Sequence, residues 1–352
     1  MKKSLYKKKI LVTGGCGFVG SNLVSQLSKK YTVLSIDNFY RYGSKFNYKN
    51  QDKDFFFKKI DINSKKELEK VSFNPDVIIH LASETSVTYG LKNNPEYLLK
   101  TNTIGTLNIL ERFKNKNLKF IFLSTSRVYS IDELNKIPLK SNLTRFALKD
   151  NHQFTSIKNY GISEDFNTSG RKSFYGLSKL FSEDLILEYA KLYGFDVVIN
   201  RCSLLSGQNQ WGKSSQGLMS FFILMALKKK VIPITGFEGS GLQVRDFLNI
   251  KDLAQLINLQ ISSTVKIKNP IYNVGGGIKN SFSINELLRA IEKTLNTKVE
   301  FKRYKKSHQN DIGYYITNNS KITKNYKWKP KIGLEETIKD IEIFTKKNIN
   351  LM

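Results

Sequence analysis

The run Thr13-Gly14-Gly15-Cys16-Gly17-Phe18-Val19-Gly20 separates an apolar, β-branched segment at 10–13 from a helical pattern at 18–28. Gly14, Gly17 and Gly20 permit a tight turn, close approach of the backbone to a pyrophosphate, and close packing of the helix on the strand. The N-terminus of the following helix, at Phe18, Val19 and Gly20, offers free N–H groups and the positive end of a dipole. A strand that leads through such a turn into a helix opens a βαβ unit, and βαβ units commit their strands to a parallel sheet.

The rest of the first half keeps that rhythm. Short apolar runs at 31–37, 55–58, 77–81, 119–124 and 197–201 alternate with helical patterns, one starting at Ser64 with Glu67 placed for a capping box and another over 97–113. The expected fold is α/β, a Rossmann-type doubly wound parallel sheet. After Arg201 the rhythm breaks into Gly- and Gln-rich loops, a helix over 218–229, a strand at 271–274 and a helix opened by Ser283 and Glu286. The expected division is a nucleotide-binding domain over 1–205 and a smaller, mixed substrate lobe over 206–352, some of whose segments return to the first domain.

Composition narrows the setting. With 352 residues, 40% hydrophobic, the chain can bury a sizeable core. The two cysteines, Cys16 and Cys202, fall in the Gly-rich turn and in a β-like run, which argues against a disulfide framework and for a reducing, cytoplasmic compartment. No apolar stretch follows the basic opening Met1-Lys2-Lys3, so neither a signal peptide nor a membrane span is expected. The net charge of +27 is spread along the whole chain. It reads as solvated faces that favour anionic ligands, not as a nucleic-acid-binding patch. No metal site is expected.

Asp37 ends the second apolar run seventeen residues after Gly20, where a carboxylate can accept from ribose hydroxyls and repel a 2′-phosphate. The expected cofactor is therefore NAD, not NADP. Asp61-Ile62 lies after the third run, either beside the adenine or as an acid at a helix N-terminus. His80-Leu81-Ala82-Ser83 ends the fourth run in small residues that let a cofactor lie against the backbone, with His80 itself read as a core histidine. Tyr175 and Lys179 stand at i, i+4 on one helical face, so the ammonium is expected to lower the phenol pKa and make Tyr175 a general base. Thr125 ends the fifth run, where it can bond the same reacting oxygen.

Together these motifs resemble the extended short-chain dehydrogenases/reductases, in the NAD-dependent sugar epimerase/dehydratase group. The likeness runs through TGGCGFVG at 13–20, DN at 37–38, HLAS at 80–83, NTIGTLNILE at 102–111, STSRVYS at 124–130, YGLSK at 175–179, QVRDFLNIKDL at 243–253 and YNVGGG at 272–277. It implies that Thr125, Tyr175 and Lys179 are catalytic, and that Lys179 also holds the nicotinamide ribose. Asn38, Asn102, Ser124 and Arg201 would lie beside the cofactor. Ser126, Gln216, Gln243 and Arg245 would face a nucleotide-diphosphate sugar, with Arg245 on the diphosphate. Members of the group are commonly homodimers through a helix bundle, and the helices over 97–113 and 175–193 carry the apolar positions for one.

Within the group, 4,6-dehydratases carry an Asp-Glu pair after the catalytic Thr; Ser126-Arg127 stands there instead, which argues against dehydration. The stretches STSRVYS, GLQVRDFLN, NVGGGIKNSFS and KITKNYKWKPKI are most similar to the branch that inverts C2 of CDP-linked 3,6-dideoxyhexoses. A 4-epimerase of UDP-hexose or UDP-hexuronate is the alternative within the enzymes. A non-catalytic NAD- or RNA-binding protein of the same fold is the alternative of another kind, and it would have no need of Thr125, Tyr175 and Lys179 together.

Overall fold

The computed structural model describes residues 7–51, 54–87, 90, 94–214, 216–264 and 267–352; the opening Met1-Lys2-Lys3 lies outside them. The apolar runs of the first half form strands because both of their faces are covered by helices. These strands are β1 (Lys9–Thr13), β2 (Thr32–Asp37), β3 (Phe56–Lys59), β4 (Val77–His80), β5 (Lys119–Thr125) and β6 (Asp196–Cys202). Three short strands of the second half, β7 (Leu204–Ser206), β8 (Val244–Asn249) and β9 (Ile271–Val274), follow, and then β10 (Ser281–Ser283) and β11 (Tyr314–Tyr315).

Seven of them make one parallel sheet in the order β9-β6-β5-β4-β1-β2-β3. This is the doubly wound α/β arrangement that the alternating pattern predicts. The order reverses between β1 and β4, which leaves a crevice at the carboxyl ends of these two strands.

Eight helices matter for the site and the cores: α1 (Phe18–Leu27), α2 (Lys65–Glu69), α3 (Gly105–Phe113), α4 (Phe174–Tyr193), α5 (Leu218–Leu227), α6 (Ile250–Ser262), α7 (Ile284–Leu295) and α8 (Leu334–Asn348). On one face of the sheet Leu23, Val24 and Leu27 of α1 and Leu253, Leu256 and Ile257 of α6 bury against Ile10, Val12 and Val33. On the other, Ile109, Leu110 and Phe113 of α3 and Ile186 of α4 bury against Leu11, Phe120 and Phe122. A fully buried side chain of this size contributes about 1.5–3 kcal/mol. A separate core joins α5, α7 and α8 through Phe222, Ile223, Leu287, Ile291 and Ile341, with Phe247 of β8 and Phe282 of β10.

Several details depart from the sequence reading. The helix expected over 97–113 begins at Glu96 and contains a π turn at Lys100–Ile104 before α3. Ser64 caps α2 by accepting from the Glu67 N–H at 3.3 Å, but the Glu67 carboxylate accepts from the Asp61 N–H at 2.8 Å instead of closing the box. Ser283 and Glu286 make both halves of theirs. A small second sheet, β7-β8-β10 with β11 also on β8, adds strands that the sequence pattern does not single out. Neither Cys16 nor Cys202 forms a disulfide. Among the described residues no helix is long and apolar enough to cross a membrane.

Candidate active site

A cleft opens at the switch point, lined by Gly14, Gly17, Asp37, Asn38, Ile62, Leu81, Ala82 and Ser83 among others. Gly14 has φ +67, and a Cβ there would stand 2.8 Å from the Ala82 Cα, so the Gly-rich turn and the exit of β4 lie in direct backbone contact. Gly17 caps α1 with no side chain, and the first turn of α1 carries no acid. The N–H groups of Phe18, Val19 and Gly20 therefore have no intrahelical acceptor.

The Asp37 carboxylate accepts from the Cys16 N–H at 3.1 Å and the Phe39 N–H at 2.8 Å. Burial lifts its pKa above the ordinary carboxylate value, against the pull of those backbone N–H groups and of Gly17. Asn38 donates to Asp61 at 3.2 Å, and Asp61 also accepts from the Asn63 N–H at 2.8 Å. Asp61 thus braces the loop before α2, while its neighbour Ile62 lines the cleft. His80 is a satisfied core residue: Thr13 bonds its Nδ1 at 2.8 Å and Thr106 its Nε2 at 3.0 Å. Burial and the Lys179 charge hold it neutral, its pKa lowered to about 3.

Among the cleft residues that were not expected from the sequence are Tyr40, Arg41, Glu84, Tyr97 and Thr101. Arg41 forms an ion pair with the buried Glu84. Tyr97 stacks on Tyr40 at 4.0 Å between ring centroids. An aromatic two residues after the DN pair was the available signal for Tyr40; nothing local marks Glu84, which is defined by a partner forty-three positions away.

Thr125 is the last residue of β5, and Tyr175 and Lys179 lie on α4, which packs against that strand. Tyr175 begins α4, which Ser173 caps by accepting from the Gly176 N–H at 3.2 Å. A Cβ on Gly176 would lie 2.1 Å from the Arg127 carbonyl oxygen. Only glycine lets the helix start this close to the segment after Thr125. The Tyr175 and Thr125 hydroxyls are hydrogen-bonded.

Burial is the largest effect on the Tyr175 phenol and pushes its pKa up to about 12; the Thr125 hydrogen bond and the Arg127 guanidinium oppose it. The Lys179 ammonium lies 3.9 Å from the centroid of the Phe122 ring. Arg127, noted in the sequence only as the residue replacing an acid, is the cation that bears on Tyr175.

Asn102, in the π turn, donates to the Glu84 carbonyl and the Ser178 hydroxyl at 2.9 Å each and accepts from the Glu84 N–H at 2.8 Å. It ties the exit of β4 to α4. Ser124 donates to Glu183, and Arg201 forms a buried ion pair with the same carboxylate at 2.7 Å. Neither lines the cleft.

In the second half, Gln216 bonds Thr85, next to Glu84. Gln243 donates to the Thr235 carbonyl at 3.0 Å. Arg245, on β8, donates to the Val244 carbonyl at 2.6 Å and the Ile312 carbonyl at 2.5 Å. Burial lowers its pKa to about 9, with the Arg127 charge pulling the same way and Asp311 and Asp246 opposing. Arg127 and Arg245 thus share one electrostatic neighbourhood. Ser126 is half-buried between Thr125 and Arg127.

This geometry has relatives. The chain is 30% identical to CDP-paratose 2-epimerase of Salmonella typhi, over 96% of this chain and 99% of that protein. It is 33% identical to a putative UDP-glucose 4-epimerase of Methanocaldococcus jannaschii, with 96% and 99% covered. Among solved structures, UDP-glucuronic acid 4-epimerase of Bacillus cereus, in complex with UDP-glucuronic acid and NAD, superposes with a TM-score of 0.77 at 27% identity, covering 96% of this chain and 99% of that one. The model of the NAD dependent epimerase/dehydratase family matches residues 10–275. With a Gly-rich turn, Asp37 at the end of β2, Thr125 at the end of β5, and Tyr175 and Lys179 on α4, the chain belongs to that family of enzymes acting on nucleotide sugars.

Proposed function

We propose that this enzyme is a nucleotide-diphosphate-sugar epimerase, and specifically a CDP-paratose 2-epimerase, which inverts one sugar carbon by oxidising it to a ketone and reducing it from the other face. The observation that carries the reading is the hydrogen-bonded pair Thr125 and Tyr175, followed by Ser126-Arg127 where elimination of water would need an acid and a base.

The cleft suits NAD on its own features. An uncapped helix N-terminus at Phe18–Gly20 can take a pyrophosphate, the Asp37 carboxylate can accept from a ribose diol, and Gly14 against Ala82 leaves backbone for a flat ligand to approach. Bound there, NAD supplies an acceptor for the hydride of the sugar carbon and the donor that returns it.

The chain's own groups do the rest. Tyr175 takes the hydroxyl proton as the ketone forms and gives it back on reduction, so it works once as base and once as acid. Arg127 favours its phenolate, and Thr125 orients both the phenol and the reacting oxygen. In this reading Lys179 and Asn102 support the site from below, and the charge of Arg245 serves an anionic diphosphate. A homodimer through the exposed apolar residues of α4, among them Leu177 and Phe181, belongs to this reading.

A second reading, a UDP-hexuronate 4-epimerase, is supported by Arg127, whose guanidinium beside Tyr175 could accept a sugar carboxylate. Incubation with CDP-paratose, CDP-tyvelose, UDP-glucose and UDP-glucuronate in deuterated water, with product analysis by NMR and mass spectrometry, separates the two. Inversion at C2 of the CDP sugar without deuterium uptake is expected. Turnover of UDP-glucuronate alone favours the second reading, and no epimer from any sugar rejects both.

A further inference from the structure

Glu183 lies on α4 four residues after Lys179 and eight after Tyr175, so the three side chains follow one face of the helix. Its carboxylate is 1% exposed. From β5 the Ser124 hydroxyl donates to it. From β6 Arg201 donates through Nε, at 3.1 and 3.0 Å to the two oxygens, and through Nη2 at 2.7 Å. In the sheet Arg201 pairs with Ser124, and the next residues, Cys202 and Thr125, pair in turn. One carboxylate therefore joins the strand ending in Thr125, its neighbour, and the helix that carries Tyr175 and Lys179. A buried ion pair is a poor source of net stability, because desolvation offsets the attraction. Its value here lies in what it holds in place.

Lys179 is 3% exposed. The titratable groups that face it are Glu183 on its own helix, Cys202 on β6 and His80 at the end of β4. His80 is neutral, and burial pushes the Cys202 thiol up to about 12, so near neutrality neither carries a charge. Burial draws the Lys179 ammonium down to about 7, and Glu183 is the strongest group opposing that loss.

We infer that Glu183 is a positioning residue of the active site: its carboxylate clamps the Thr125 strand to the Tyr175 helix, one helical turn from the buried Lys179. The catalytic consequence rests on the epimerase reading above; the charge state of Lys179 does not.

The test uses protein labelled with 13C at lysine Cε, the Lys179 signal being assigned by its loss in Lys179→Met. Glu183→Gln keeps the shape and an acceptor oxygen for Ser124 while removing the charge. Its Lys179 midpoint should fall by about one pH unit, with Glu183→Asp restoring it towards the parent value. The alkaline limb of kcat/KM for epimerisation should move to lower pH by the same amount, with KM for the sugar little changed. Because Glu183→Gln leaves Arg201 buried without its counter-ion, the double variant Glu183→Gln/Arg201→Gln provides the measurement if the single variant does not fold. A Lys179 midpoint unchanged in these variants overturns the inference. Absence of turnover by the parent enzyme, with the midpoint shifted, overturns only the epimerase reading.

Discussion

Arg41, four residues past the end of β2, pairs its guanidinium with the carboxylate of Glu84, four residues past the end of β4, and both line the cleft. Glu84 is 2% exposed, and its carboxylate also accepts from the Ser86 N–H at 3.0 Å. Arg41→Gln should leave a buried carboxylate short of its strongest donor and cost about 2 kcal/mol in urea unfolding. Arg41→Gln/Glu84→Gln should recover most of that loss. Gel-filtered protein of the single variant should also retain less NAD, measured by absorbance after release, because the wall of the cleft loses its brace.

Tyr175→Phe should lower kcat by roughly 10³ with KM changed by no more than a few-fold, since it removes the group that moves the proton and little else. Thr125→Val should lower kcat by roughly 10². Equal rates for Tyr175→Phe and the parent enzyme would remove Tyr175 from the chemistry.

Gly176→Ala places a methyl group 2.1 Å from the Arg127 carbonyl oxygen, and rigid backbone on both sides leaves it nowhere to go. Displacing the start of α4 by a fraction of an ångström moves Tyr175 away from Thr125. A fall in kcat of roughly 10²-fold is expected, larger than any loss of secondary structure seen by circular dichroism.

Asp246, on β8, is fully buried; its Oδ2 accepts from the Gly277 N–H at 2.9 Å, and burial raises its pKa from 3.8 to about 6. A raised folded-state pKa means that the acid contributes stability fully below its unfolded value and loses it as pH rises through about 6. Asp246→Asn does not titrate. Its melting temperature should therefore gain on that of the parent between pH 4 and pH 6.5, and the difference should level off above that; a difference independent of pH would contradict the assignment.

The local parts of the site were legible in the sequence because their meaning is local. A strand, a glycine turn, a helix and an acid at the end of the next strand specify one another over twenty-five residues. The parts that escaped depend on contacts across the chain. β8 reads VRDFLN, and two charged residues in six look unlike a strand of a packed sheet until Asp246 is seen to be buried there and Arg245 to bond the Ile312 carbonyl. α4 buries Ser178, Lys179, Ser182 and Glu183 before its first buried aliphatic, Ile186, so the part of its inward face nearest the site is polar. The spacing of Tyr175 and Lys179 puts them on one face of α4, but the groups that meet them there, Phe122 under the ammonium and Arg127 beside the phenol, come from elsewhere in the chain. Glu84 and Glu183 were invisible as site residues because their partners, Arg41 and Arg201, lie on other elements.

The outer strand β9 pairs with β6 only after some seventy intervening residues, and α6 covers β1 from the same late stretch. A ribosome therefore releases the whole Gly-rich turn, Asp37 and Tyr175 well before the sheet that holds them is finished. Until residue 274 emerges, the edge of β6 is open to pairing with another nascent chain. Stalling or truncation between 206 and 270 should thus yield an aggregating fragment, not a free-standing cofactor-binding module.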